Sequence, residues 1–407
     1  MKLLKPLAVA ALALAAFVQT SSAVTIYITG SSAFRTAANA AISANLTGAT
    51  MKASTGSIGF IWTGGSMAGF GAVTVKATYT GSGNGIQTVA ASGTGTPLTV
   101  AFVNDAFVNG GADPVSTASG IDNHVPDFAF SDVFPGATDF TSDNGYDDLV
   151  DNKVAICTFK WIASKNFPAG LSVDPQFLQY LFTAGKAPLS FLTGNSSDEH
   201  AVIFATGRDP DSGTRITAFA DSGVGISTPV LQYKPVISAG AVTSHALYPI
   251  QTINGVSTGT AGNSGESSGA TLRGNLTATL PTSGLTDEAA GTTAAYYISY
   301  LGIKDAASVA ANTTELAYKG VLYGTNSTAS TVPMVQEGKY SFWSYEHIVN
   351  DPNYITAPAS TFYTSVKNTI QGYATGNANL DAGIQDDAAM HVKRDNDGSK
   401  IKPKFAF

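Results

Sequence analysis

Short apolar runs separated by polar turns set the rhythm of this chain. Residues 24–29 alternate apolar and polar positions as a strand does, and Gly30-Ser31-Ser32-Ala33-Phe34-Arg35 leads them into an alanine-rich, helix-compatible stretch at 36–44. Residues 73–79 form the next strand candidate and run into Thr80-Gly81-Ser82-Gly83-Asn84-Gly85-Ile86-Gln87, read as a tight loop rich in hydroxyls and free amides. Asp127-Phe128-Ala129-Phe130-Ser131-Asp132 is a short alternating strand that ends in a carboxylate. Strands are also expected at 154–163, 201–205, 294–302 and 316–322, and helices at 175–184, from 216 onward and at 361–373. The alternating aromatics of 338–348 read as core. Residues 88–125 form an irregular or hairpin insertion, and 256–268 are a low-complexity Gly/Ser/Thr stretch. Strands alternating with helices predict an α/β protein.

The first residues follow a different pattern. Lys2 and Lys5 precede an apolar run from Leu7 to Val18, and Ser21-Ser22-Ala23 supplies small residues before a cut. This predicts a secretory signal peptide over residues 1–23, and an exported protein, periplasmic or secreted. Its removal takes away two lysines and makes the formal charge of −7 more negative by two. An acidic chain of this kind argues against nucleic acid as a partner. Cys157 is the only cysteine, so an intramolecular disulfide is excluded, and its place among apolar neighbours makes it core. At this length a second core is expected.

The densest chemistry lies in Gly207-Arg208-Asp209-Pro210-Asp211-Ser212-Gly213-Thr214-Arg215, between an expected strand and an expected helix. Free amides at a helix start, two hydroxyls, a glycine and a guanidinium together suit an oxyanion. The chain has five arginines, and two of them bracket this turn. A solvated Asp-Pro turn with a plain N-cap at Ser212 is the alternative.

Taken in order, these motifs resemble those of the periplasmic phosphate-binding proteins of ABC-type transporters. Ser31-Ser32-Ala33-Phe34 is similar to that family's first loop, Gly81-Ser82-Gly83-Asn84-Gly85 loosely to its second, Asp127 through Asp132 to its third and Arg208 through Thr214 to its fourth. The resemblance implies a type II periplasmic binding fold, an α/β architecture of two lobes with two crossing strands at the hinge. Residues 24–153 and 305–407 would form one lobe and 154–304 the other, with 154–163 as the first crossing and 294–302 as the return. It further implies a ligand site made of Ser32, Ala33, Phe34, Ser82, Asp132, Arg208, Ser212, Gly213 and Thr214. The expected ligand is inorganic phosphate or a related tetrahedral oxyanion, and the expected partner is an ABC-type membrane permease. The protein would be a monomer with no cofactor and no enzymatic activity. Two departures bear on the ligand. Ala33 stands where the family has a hydroxyl, so Ser32 or backbone amides would take its place. Pro210 stands where the family has an acid, which leaves Asp209 or Asp211 to steady Arg208.

Other readings are weaker. The acids Asp143, Asp147, Asp148 and Asp151 match no calcium-loop spacing. Gly265-Glu266-Ser267-Ser268-Gly269 fits a nucleophile-elbow pattern without the strand it needs, and Ser268 reads instead as a helix cap. The five histidines are scattered, with no metal spacing, and a phosphatase or hydrolase lacks a placed base. A secreted surface protein that keeps the fold without a ligand is the remaining alternative.

Overall fold

A computed structural model describes residues 23–114, 120–238, 241–253, 255–280, 292–324, 332–377 and 383–405. The expected signal peptide lies outside these residues, except for Ala23. None of the helices described is long and apolar enough to cross a membrane.

Along the chain the main strands are β1 (Val24–Gly30), β2 (Thr50–Ala53), β3 (Gly59–Met67), β4 (Gly71–Thr78), β5 (Val100–Val103), β6 (Ile121–His124), β7 (Phe128–Ser131), β8 (Val150–Ser164), β9 (Lys186–Pro188), β10 (Ala201–Ala205), β11 (Ala294–Gly302), β12 (Thr313–Glu315) and β13 (Trp343–Asn350). The main helices are α1 (Arg35–Ala44), α2 (Ser82–Ala90), α3 (Pro175–Ala184), α4 (Gly213–Ser222), α5 (Gly269–Thr277) and α6 (Ala357–Ala374). One mixed sheet runs β9-β10-β11-β8-β13-β7-β1-β4-β3-β2, and β12 adds to the far end of β8.

Strand β8 makes this sheet two-lobed. Its first part, Val150 to Thr158, pairs antiparallel with β13, and its last part, Phe159 to Ala163, pairs with β11. Ala155 belongs to a core built from α1, α6 and strands β1, β3, β4 and β7. Its neighbour Ile156 belongs to a second core, with Trp161, Leu181, Phe219, Tyr300 and Phe342. Val154 and Ala155 are both in the first core and Ile156 and Cys157 both in the second, so the strand passes lengthwise from one core to the other. The other strand that spans both cores is β13, with Trp343 in the second core and Ile348 in the first, whereas 294–302, expected as the return, contributes Ile298 and Tyr300 to the second core and no residue to the first. Leu316, Tyr318, Tyr323 and Tyr340, from a stretch expected with the first lobe, pack into the second core. The stretch is tied there by pairing: β12 extends the sheet along Ile162 to Ser164, directly before Leu316.

Two sequence expectations change. The stretch 80–87 is not a loop, because α2 starts at Ser82 and is buried along all nine residues. Glycine disfavours a helix, but the absence of Cβ lets α2 pack directly on the backbone of Gly30, and this contact prevails. The strand expected at 316–322 shrinks to Ala317–Tyr318 because Lys319 and Gly320 turn with positive φ, of 51° and 77°. The insertion after α2 contains the antiparallel pair β5 and β6.

Asp127 enters β7 buried, and its Oδ2 accepts from the Tyr27 amide at 2.8 Å. Burial raises its pKa to about 6, against the pull of that amide. An unfolded aspartate releases its proton near about pH 4, so the folded state holds a proton that the unfolded state has lost between about pH 4 and about pH 6. Stability from this group is therefore lost as pH rises through that window. Asp127→Asn keeps an acceptor for Tyr27, and it should flatten this part of the melting-temperature profile. An unchanged slope would contradict the assignment.

Candidate functional site

Strands β1, β4 and β7 are parallel, so their C-terminal ends share one edge of the sheet. The turn after β1 leads into α1, the turn after β4 leads into α2, and Asp132 directly follows β7. In α/β sheets this edge, with its converging helix N-termini, is where ligands bind. The other lobe brings α4 to the same place, with Ser212 as N-cap accepting from the Arg215 amide at 3.2 Å. Gly81 precedes α2 with φ of 122°, a conformation that favours glycine. The lobes touch directly here, where the Gly83 amide donates to the Asp211 carbonyl at 2.7 Å.

Asp132 is the centre of one network. Its Oδ1 accepts from the Ser82 hydroxyl and its Oδ2 accepts from Thr214 Oγ1 at 3.1 Å, one donor from each lobe. The Asp132 amide donates to Ser82 Oγ at 3.1 Å. All three side chains are buried. Burial raises the Asp132 pKa, opposed by Ser82, its own amide, Thr214 and the charge of Arg208.

Arg208 is the centre of the other. Its Nε donates to the Glu266 carbonyl at 2.9 Å and its Nη2 to the Ser267 carbonyl at 2.8 Å, while Nη1 reaches across the lobes to Ser32 Oγ at 3.2 Å. Ser32 accepts in that bond, so its own proton is free for a further acceptor. Two main-chain carbonyls thus hold the guanidinium where the sequence suggested Asp209 or Asp211. Asp209 and Asp211 are both raised by burial. Arg208 and Arg215 oppose this at Asp209, while at Asp211 the charge of Asp209 adds to it and Arg215 opposes it. The Arg208 carbonyl accepts from Arg215 Nη1 and from Gln232 Nε2, each at 3.1 Å, and the Arg208 amide donates to Tyr300 Oη at 3.2 Å.

The structure brings Ser32, Ser82, Asp132, Arg208, Ser212, Gly213 and Thr214 together at the lobe contact. Phe34 is the N-cap of α1 and is buried against Phe130, and its amide donates to Ser31 Oγ at 3.3 Å. The Ala33 Cβ lies beside Gly302. Sequence reasoning missed Glu266, Ser267, Gln232 and Tyr300, which hold Arg208 through the main chain on one side or the other. Gly265 gave a usable signal: a Cβ there would stand 2.3 Å from the Arg208 carbonyl carbon, so the two turns need a bare backbone to meet. Arg35 pairs with Asp305, Nη2 to Oδ1 at 2.7 Å, across the same junction. A cavity of about 630 Å³ also opens between the lobes, lined by Phe140, Tyr146, Asp211, Arg215, Ile226 and Asn263 among others, but by none of the residues of the expected ligand set.

A Cβ on Gly213 would stand 1.8 Å from Asp132 Oδ1 and 2.5 Å from Ser82 Oγ. Gly213→Val should therefore push α4 away from the first lobe and enlarge the radius of gyration in solution scattering. Thr214→Val removes one hydrogen bond to a charged group, at a cost of about 1.5–3 kcal/mol, and should lower the melting temperature without that enlargement. Equal radii for Gly213→Val and the parent protein would refute the packing argument.

No protein-family model matches the chain, and no curated protein does. Among solved structures, an ABC-type phosphate transport receptor from Vibrio cholerae is similar at a TM-score of 0.43 and 10% identity, over 88% of this chain and 99% of that one. A phosphate-binding protein from Stenotrophomonas maltophilia gives 0.41 and 16%, over 86% and 83%. A high-affinity periplasmic phosphate-binding protein bound with phosphate gives 0.43 and 13%, over 90% and 91%. These three are described as phosphate-binding or phosphate-transport proteins, one of them of ABC type.

Proposed function

We propose that this protein captures inorganic phosphate, or a closely related tetrahedral oxyanion, between its two lobes and releases it unchanged. The observation that carries the reading is the convergence of a buried guanidinium nitrogen and buried hydroxyls from both lobes, with Arg208 Nη1 3.2 Å from Ser32 Oγ and Asp132 bridging Ser82 and Thr214. Charge-assisted donors in a dry cleft suit an anion, and the start of α4 adds its dipole. The cavity of about 630 Å³ is lined by none of these donors, although their neighbours Gly83, Asp211 and Arg215 line it.

Capture then works as a hinge. The lobes turn about β8 and β13, the two strands that serve both cores, and closure completes a donor set that neither lobe holds alone. Export and delivery of the anion to an ABC-type permease follow from the same reading, with residues 1–23 as the export signal. The protein acts as a monomer and as a binder, without turning the anion over.

Asp132 sets the selectivity. A carboxylate facing an anion repels it unless the ligand brings a proton to share, as phosphate and arsenate do and sulfate near neutral pH does not. Titration calorimetry on ligand-stripped protein should show phosphate bound, arsenate weaker and sulfate rejected by orders of magnitude. Asp132→Asn should narrow the gap between phosphate and sulfate. Arg208→Lys loses the planar fork and should weaken phosphate at least about tenfold. Comparable binding of sulfate and phosphate would remove Asp132 from this role, and unchanged affinity in Arg208→Lys and Arg208→Ala would overturn the site itself.

A further inference from the structure

Strand β13 pairs with β7 so that Ile348 faces Phe130 and His347 faces Ser131. The β7 ladder ends at that pair: Glu346 is the next residue of β13, where its pairing with β8 shifts register and sets Glu346 opposite Ala155, and Asp132 is the next residue after β7. Glu346 is wholly buried, and neither Oε1 nor Oε2 has a hydrogen-bond partner. An ionised carboxylate in that position would be very costly. Burial, and after it the charge of Asp132, push the Glu346 pKa well above the usual carboxylate range.

Among the described residues this carboxyl has no hydrogen-bond partner, and the titratable groups around it other than Asp132 are raised by burial or paired elsewhere. On β8, Cys157 is itself raised by burial and then by the charges of Glu346, Asp132 and Asp305. Tyr79, just after β4, is raised by burial, with Arg35 opposing and Glu346 adding, and its hydroxyl donates to Asn39. Arg35 is committed to Asp305 and to the Ser32 carbonyl. The next residue on β13, His347, is bonded to Asp151 at 2.7 Å, and Lys153 lies over the ring of Tyr345. Helix α2, also packed on β13, has no titratable side chain.

We propose that Glu346 is a further ligand-facing group of the cleft, its carboxyl donating a hydrogen bond to the captured oxyanion from the β13 side. The inference rests on the oxyanion reading and sharpens it. Asp132 accepts a proton from the ligand while Glu346 gives one to a bare oxygen, so the pair matches an anion that carries both kinds of oxygen. A partly protonated tetrahedral oxyanion is that ligand.

The test is calorimetry with inorganic phosphate on the full chain, Glu346→Gln and Glu346→Ala, from about pH 6.5 to about pH 9. Glu346→Ala should bind about tenfold more weakly, whereas Glu346→Gln, which keeps a donor, should stay within about threefold. As pH rises and Glu346 ionises, the parent protein should lose affinity relative to Glu346→Gln, because the new charge repels the anion. Infrared difference spectra of the parent protein should show a neutral carboxyl band that shifts on adding phosphate and is missing in Glu346→Gln. Phosphate binding with equal affinity in Glu346→Ala, or a carboxyl band indifferent to phosphate, overturns the role of Glu346 and leaves the oxyanion site standing. A parent protein that binds neither phosphate, arsenate nor sulfate overturns both.

Discussion

A carboxylate cannot be buried without donors, and this fold meets that requirement at Asp132 with hydroxyls from two different lobes. Much of the rest follows from the arrangement. Ser82 has to begin a helix that comes close to the sheet at Gly30, which calls for glycine at 85, and to the other lobe at Asp211, which calls for glycine at 81 and 83. Thr214 has to begin a helix on the opposing lobe, which calls for a cap at Ser212 and a bare backbone at Gly213. The lobe contact is thus a polar junction, and its geometry is set by where a negative charge can be kept out of water.

Arg208 meets the complementary requirement. A guanidinium has five N–H donors and no acceptor, so burying it means finding an oxygen for each donor. Here the carbonyls of Glu266 and Ser267 take two of them and leave Nη1 directed at the other lobe. Neutral carbonyls fix the orientation of the charge without cancelling it, whereas a carboxylate partner would have used much of its attraction. A chain with an overall negative charge can hold an anion in this way, because the attraction is local.

The strand and helix pattern was legible where the side chains themselves dictate it. Pro175–Ala184 and Ala201–Ala205 have the bounds that periodicity gives, because a Pro at the helix start, Gly185 past its end and a run of five apolar residues are local signals. The same local signals misread residues 80–87 and 316–322. Glycine-rich Ser82 to Ala90 is helical because close packing on Gly30 and Asp211 outweighs propensity, and the apolar 316–322 stretch breaks because its residues cover β8 instead of extending a sheet. The core at 338–348 was expected from its aromatics, but alternation does not reveal that Trp343 and Ile348 serve different cores.

By itself the sequence determined the alternation of strands and helices, the burial of Cys157, the turns that hold Ser32 and Arg208 to Ser212, and the strand end that leads to Asp132. Those are local facts, fixed by side-chain type and spacing within a few residues. Only the tertiary structure decided which residues meet: Arg208 with Ser32, Asp132 with both Ser82 and Thr214, and Glu346 buried close enough to Asp132 to feel its charge. The partners of Arg208 at Glu266 and Ser267, some sixty positions away, carry no side-chain signature, because the groups that bind are main-chain carbonyls. Every residue has a main-chain carbonyl, and only the path of the chain brings these two to the guanidinium.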